Sequence, residues 1–158
     1  MAPQLPADFS EFLRLLHAHR VKYLLIGGYA VAHYGYVRTT ADMDVWIEAS
    51  AANAARVCKA LAEFGFEVDK LNRELFLNPR NIIRMGVPPL RLEISMSIDG
   101  VDFKECYARK RRVRFQKKSV KVIDLHDLIK NKKASGREKD LLDIRELQKA
   151  QRKRRPSK

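Results

Sequence analysis

Residues 23–48, YLLIGGYAVAHYGYVRTTADMDVWIE, constrain this chain more than any other stretch. The apolar run Tyr23-Leu24-Leu25-Ile26 ends in Gly27-Gly28, as a buried strand running into a turn does. Residues 29–34 read as a helix launched directly by the glycines, and residues 44–48 as the next strand. Side chains two apart on a strand share a face, so Asp42 and Asp44 converge on one site. Two carboxylates there repel unless a cation lies between them, and such hard oxygen ligands suit Mg²⁺, which also takes phosphate oxygens. Glycines let backbone N–H groups approach a phosphate at a helix N-terminus. A phosphate grip and metal carboxylates close together in sequence are the parts that phosphoryl or nucleotidyl transfer needs.

The remaining chain alternates helical and extended patterns. Phe9, Phe12, Leu13 and Leu16 form an apolar helical stripe that Asp8 or Ser10 is expected to cap. Ser50 caps a helix over residues 51–64 that Gly65 ends. Short strands are expected at Phe66-Glu67-Val68 and over residues 81–85, before Val87-Pro88-Pro89 breaks the chain. Leu90-Arg91-Leu92-Glu93-Ile94-Ser95-Met96 alternates apolar with polar side chains, as a half-buried strand does, and supplies Glu93 as a third carboxylate. Asp99-Gly100 is a turn, Val113–Phe115 and Val120–Ile123 form a basic hairpin, and Asp124 caps a helix interrupted near Gly136. A last helix follows, with Leu141, Leu142, Ile144 and Leu147 expected to face inward.

Charge divides the chain. Residues 1–103 hold 11 basic and 12 acidic side chains, whereas residues 104–158 hold 21 basic and 7 acidic ones. A near-neutral front joined to a strongly basic back points to a polyanion partner, with a solvated basic surface as the plainer alternative. The longest apolar run is far too short to cross a bilayer, and MAPQLPADFSEF has no basic start followed by an apolar stretch. Cys58 and Cys106 lie far apart, outside any CxxC or Cys/His cluster, so neither a disulfide scaffold nor a structural zinc site is expected. These features give the expectation of a cytoplasmic single domain over residues 1–150, with no membrane partner and with residues 151–158 as a disordered basic tail.

Gly27-Gly28, then Arg38-x-Thr40-x-Asp42-x-Asp44, then Glu93 on a later strand resemble the DNA polymerase β-like nucleotidyltransferase superfamily, and within it the small bacterial proteins related to AbiEii-type toxins. Residues 87–94 resemble the segment leading into the third carboxylate, and residues 128–141, LIKNKKASGREKDL, resemble the C-terminal signature. The resemblance covers roughly residues 23–147. It implies an α+β (α/β) minimal nucleotidyltransferase fold, a mixed β-sheet flanked by helices, with C-terminal helices. It implies that Asp42, Asp44 and Glu93 are catalytic and hold Mg²⁺ or Mn²⁺, with Glu93 as the base. Gly27, Gly28, Thr40 and Arg38 would meet the NTP phosphates, Arg38 alternatively bracing the turn. Lys132, Arg137 and Lys139 would reach the triphosphate or acceptor, with Asp140 and Asp143 orienting them.

The expected reaction is transfer of NMP from an NTP to a hydroxyl, with RNA or tRNA bound through residues 104–158 as the leading acceptor. A partner-protein hydroxyl within a toxin–antitoxin pair comes second. Glu93 stands where the family pattern has Asp, one methylene longer, which keeps open a nucleic-acid-binding module on a catalytically decayed scaffold. A modifier of small polycations is disfavoured, because its pocket should be acidic.

Overall fold

A computed structural model describes residues 6–38, 42–66, 72–87 and 91–154. The strands are β1 (Tyr23–Ile26), β2 (Asp42–Ile47), β3 (Ile82–Met85), β4 (Arg91–Ser95), β5 (Arg111–Phe115) and β6 (Lys118–Val122). The helices are α1 (Ala7–Ala18), α2 (Gly27–His33), α3 (Ala51–Phe64), α4 (Phe103–Ala108), α5 (Leu125–Ser135) and α6 (Glu138–Arg154), with a short 3₁₀ turn at Arg73–Phe76. The strands form one mixed sheet in the order β3-β4-β2-β1-β6-β5. β2 runs parallel to β4 and β1 parallel to β6, while the other neighbours are antiparallel. This is the expected α/β class, a mixed sheet flanked by helices. No helix among the described residues is long and apolar enough to cross a membrane.

Apolar patterning decides where each strand sits. All four residues of β1 are buried, which suits an unbroken apolar run in mid-sheet. β2 and β4 alternate instead: Met43, Val45, Leu92 and Ile94 are buried, while Asp42, Asp44, Arg91 and Glu93 stand half-buried on the opposite face. Tyr23 lies on the apolar side, where its hydroxyl meets His17 of α1 at 2.6 Å. α1 in turn packs on α3, with Phe12 and Phe64 edge to face at 5.7 Å. On the other face Trp46 meets Phe103 of α4 edge to face at 5.1 Å.

Several local expectations hold. Ser50 accepts from the Asn53 backbone N–H at 3.2 Å and Gly65 ends α3; Asp124 accepts from the His126 N–H at 3.1 Å and Gly136 ends α5. β5 and β6 are joined by a two-residue turn in which Gln116 and Lys117 both have positive φ, 49° and 71°, the twist that a tight hairpin demands.

Other expectations need correction. α1 begins at Ala7 behind Pro6, whose ring fixes the entry, so no side chain caps it and Ser10 is buried within the helix. Leu141 and Leu142 are 45% and 41% exposed. The inward stripe of α6 is Asp140, Asp143, Ile144 and Leu147, so two aspartates face inward in place of Leu141 and Leu142. Residues 151–154, expected in a disordered tail, continue α6 as its last turn, and residues 155–158 lie outside the described residues. Phe66 is not in a strand, and Glu67 and Val68 lie outside the described residues.

Asn53 fastens this scaffold behind the site. It is fully buried, accepts from the Lys22 N–H at 2.8 Å and donates to the carbonyls of Lys22 and Glu48 at 3.0 and 2.9 Å. Asn53→Ala would remove these three bonds, leaving the Lys22 carbonyl only the Glu48 N–H at 3.3 Å and opening a void at a fully buried position. The expected loss is about 3 kcal/mol in unfolding free energy, read from urea denaturation.

Candidate active site

The register of two strands makes the site. β2 and β4 run parallel with Asp44 opposite Glu93 and Asp42 opposite Arg91. Antiparallel β3 adds Arg84 beside Glu93, and antiparallel β1 sets Ile26 beside Asp44. Gly27, the next residue, then turns over the Asp44 carboxylate at φ 67°. A Cβ on Gly27 would fall onto that carboxylate, so the position admits glycine alone.

The charges here are tightly arranged. Arg91 donates two hydrogen bonds to Asp42, at 2.7 and 3.2 Å. Arg84 pairs with Glu93 at 3.2 Å. Asp44 is the outlier, because its Oδ1 is buried and accepts no hydrogen bond. Burial, reinforced by Glu93 alongside and by Asp42, pushes its carboxyl up to about 8, while Lys139 pulls it the other way. An all-oxygen donor set with one orphaned buried oxygen has the chemistry of a hard divalent-cation site. Even so, no group of three His, Cys, Asp or Glu side chains among the described residues is gathered as an ion cage. The two arginines take up Asp42 and Glu93 instead.

Beyond this row opens a cleft of about 1090 Å³. Gly27, Asp42, Asp44 and Glu93 form part of its wall, joined by Arg38, Lys132, Arg137 and Lys139. The cleft therefore gathers eight of the ten residues that the sequence nominated. Gly28 is buried and is not among the lining residues, and Thr40 lies outside the described residues. Arg80, Arg84 and Arg91 also line it and went unnominated. Arg91 was legible, because the alternation that exposes Glu93 puts the residue two before it on the same face.

Three nominated cations are already engaged. Lys132 is buried, with its ammonium 3.2 Å from Asp140 and 2.8 Å from Asp143. Arg38 donates to both oxygens of Asp143, at 3.1 and 3.2 Å, and so ties the end of the segment after α2 to α6. Arg137 and Ser135 donate to Asp140 at 2.8 and 2.9 Å. These carboxylates pair with the basic groups, and Lys132 serves as a buried tie between α5 and α6.

Tyr29 and His33 of α2 do not line the cleft. Tyr29 is buried edge to face with Phe9, and His33 lies against Tyr34 and Phe115. Burial raises the thiols of both cysteines, that of Cys106 to about 11, which suits neither for nucleophilic attack at neutral pH.

Asp44 sets a pH dependence in the metal-free chain. Below about pH 4 its carboxyl is protonated whether the chain is folded or not. Between there and its folded value of about 8 the unfolded chain loses the proton and the folded chain keeps it, so stability falls as pH rises. Asp44→Asn removes this slope. In EDTA it is expected to exceed wild type by about 2 kcal/mol or more at pH 8 and to match it at pH 4, by urea denaturation.

The comparisons with known proteins agree with this geometry. The chain is similar in structure to the lincosamide antibiotic adenylyltransferase LnuA in its lincomycin-bound form, with TM-score 0.56, 16% identity, and coverage of 93% of this chain and 98% of that one. It is also similar to TM1012 of Thermotoga maritima, assigned as a nucleotidyltransferase, with TM-score 0.56, 15% identity, and coverage of 92% and 91%. At these identities the likeness carries the fold. No curated protein is significantly similar to the chain in sequence. Residues 6–157 match the family model described as "Nucleotidyl transferase of unknown function (DUF2204)". The chain belongs to that family, which makes nucleotidyl transfer its class of reaction.

Proposed function

We propose that this protein transfers NMP from an NTP to a hydroxyl group of RNA, with a tRNA end as the leading acceptor. The observation that carries the reading is the Asp44–Glu93 row beneath Gly27, opening into a cleft whose lining has seven Lys or Arg side chains and five carboxylates. A wall of that balance suits a triphosphate and a polyanionic acceptor, and it opposes a polycationic substrate.

In the reaction, the acceptor oxygen forms a bond to the α-phosphorus and the bond from that phosphorus to the α,β-bridging oxygen breaks. Pyrophosphate leaves, and the hydroxyl proton passes to Glu93. Arg84 and Arg91, on the strands that carry or flank Glu93, supply positive charge beside the phosphates. Lys139 lines the same cleft as Asp44 and is the nominated basic residue on α6, placed for a phosphate contact. Asp42, Asp44 and Glu93 would hold Mg²⁺ or Mn²⁺, which when bound supplies charge neutralisation for the triphosphate. The buried, unpartnered Asp44 oxygen supports this.

Kinship with AbiEii-type proteins, and a cognate toxin or antitoxin, form part of the same reading on the strength of the sequence motifs. A second reading has a small-molecule hydroxyl as acceptor. It is favoured by the near end-to-end likeness to a lincosamide adenylyltransferase.

The test is label transfer from each α-³²P-NTP with Mg²⁺ into total tRNA, a cell lysate and a small-molecule extract. RNase-sensitive label is expected with wild type and absent from Asp42→Ala/Asp44→Ala. Protease-sensitive or solvent-extractable label would move the acceptor to a protein or a small molecule, and no label from any nucleotide would overturn the reading. Gly27→Ala displaces the Asp44 carboxylate and is expected to lower the transfer rate by roughly 10²-fold.

A further inference from the structure

A second depression, of about 510 Å³, lies between the end of α2, strand β5 and the last turns of α6. Its rim carries Arg114 from β5 with Lys153 and Arg154 from α6, all exposed and without a carboxylate partner among the described residues. Its apolar part comes from Val37 and Val113, and Val37 is 65% exposed. Gly35 makes the groove, since a Cβ there, at φ 114°, would come 2.8 Å from the Ala150 Cβ and push α6 away.

The surrounding sequence deepens the charge. Eight basic residues and no acidic one lie between Glu105 and Asp124, and four basic and no acidic between Glu146 and the end of α6 at Arg154. Folding brings Arg114 of the first segment and Lys153 and Arg154 of the second to one groove, while Arg109, Arg111 and Lys149 pair with Asp127, Asp124 and Glu146. Cations gathered without counter-charge repel one another, and a row of phosphates relieves that repulsion while releasing condensed counterions. An apolar floor between cationic rims matches a nucleic-acid strand, whose sugars and bases lie between its phosphates. His33 also lines the groove, and burial and Arg154 hold its imidazole neutral, so it offers a ring face instead of another charge. The groove adjoins the cleft: Val37 lines the one and Arg38, the next residue, lines the other.

We propose that the groove formed by Arg114, Lys153, Arg154, His33 and Val37 binds the phosphate backbone of the acceptor RNA and leads its end into the cleft. The inference rests on the reading of RNA as acceptor, and it names where that RNA is held. RNA binding requires none of the site carboxylates.

The test is fluorescence anisotropy with fluorescein-labelled tRNA over a salt titration. Arg114→Gln/Lys153→Gln/Arg154→Gln is expected to weaken binding at least tenfold and to flatten the salt slope by about 2, from about 0.7 per single-strand phosphate contact. Arg56→Gln/Lys59→Gln on α3, outside the lining of both groove and cleft, should bind as wild type does. If the triple variant melts early, Val37→Glu sets a carboxylate in the intact groove and should weaken binding likewise. Equal affinity of wild type and both groove variants would overturn the proposal and leave label transfer untouched. Binding of polyglutamate in place of RNA would assign the groove to an acidic protein segment and overturn it too. Groove-dependent RNA binding by a chain that transfers no label would uphold the groove while the transferase reading failed.

Discussion

Two carboxylates held side by side against their own repulsion set the terms for this molecule. The parallel register of β2 and β4 leaves Asp44 and Glu93 no choice but to be neighbours. Everything close to them answers that conflict. Arg84 and Arg91 neutralise the flanking members, Gly27 closes over the top, and Asp44 keeps its proton well into the neutral range. A sheet built for stability alone would place β-branched residues in this row. Membership of a nucleotidyltransferase family gives the conflict a context, since perturbed carboxylates gather where chemistry is done.

Much of this was legible in the chain before folding. Glycines after an apolar tetrapeptide, an Asp-x-Asp pair and an alternating strand with one glutamate identify the carboxylates, because period-two patterning fixes faces without any knowledge of partners. What patterning does not fix is which charges neutralise one another. Arg38, Lys132 and Arg137 look alike in sequence, and each reads as a hand held out to a phosphate. The fold instead commits them to Asp140 and Asp143. The same aspartates explain why Leu141 and Leu142 face outward: a helix stripe that must carry two buried carboxylates cannot also turn its neighbouring leucines inward. The helical ending at residues 151–154 was illegible for a related reason, since a basic, leucine-free turn has no inward signature and is carried by the helix before it.

Buried ion pairs of this sort are costly to desolvate and add little net stability against an apolar packing of the same shape. What they supply here is placement. Lys132 is gripped by two aspartates, one of which also grips Arg38, so α5, α6 and the residue after Val37 are tied together at the wall of the cleft.

That linkage also governs when the molecule becomes complete. Arg38 and Asp143 are 105 residues apart in sequence, and β1 takes β6 as its parallel neighbour. All three carboxylates therefore leave the ribosome early, yet the wall that makes a cleft of them arrives only with α6. A nascent chain carries the acidic row long before the α6 residues Lys139 and Asp140 can close the cleft beside it.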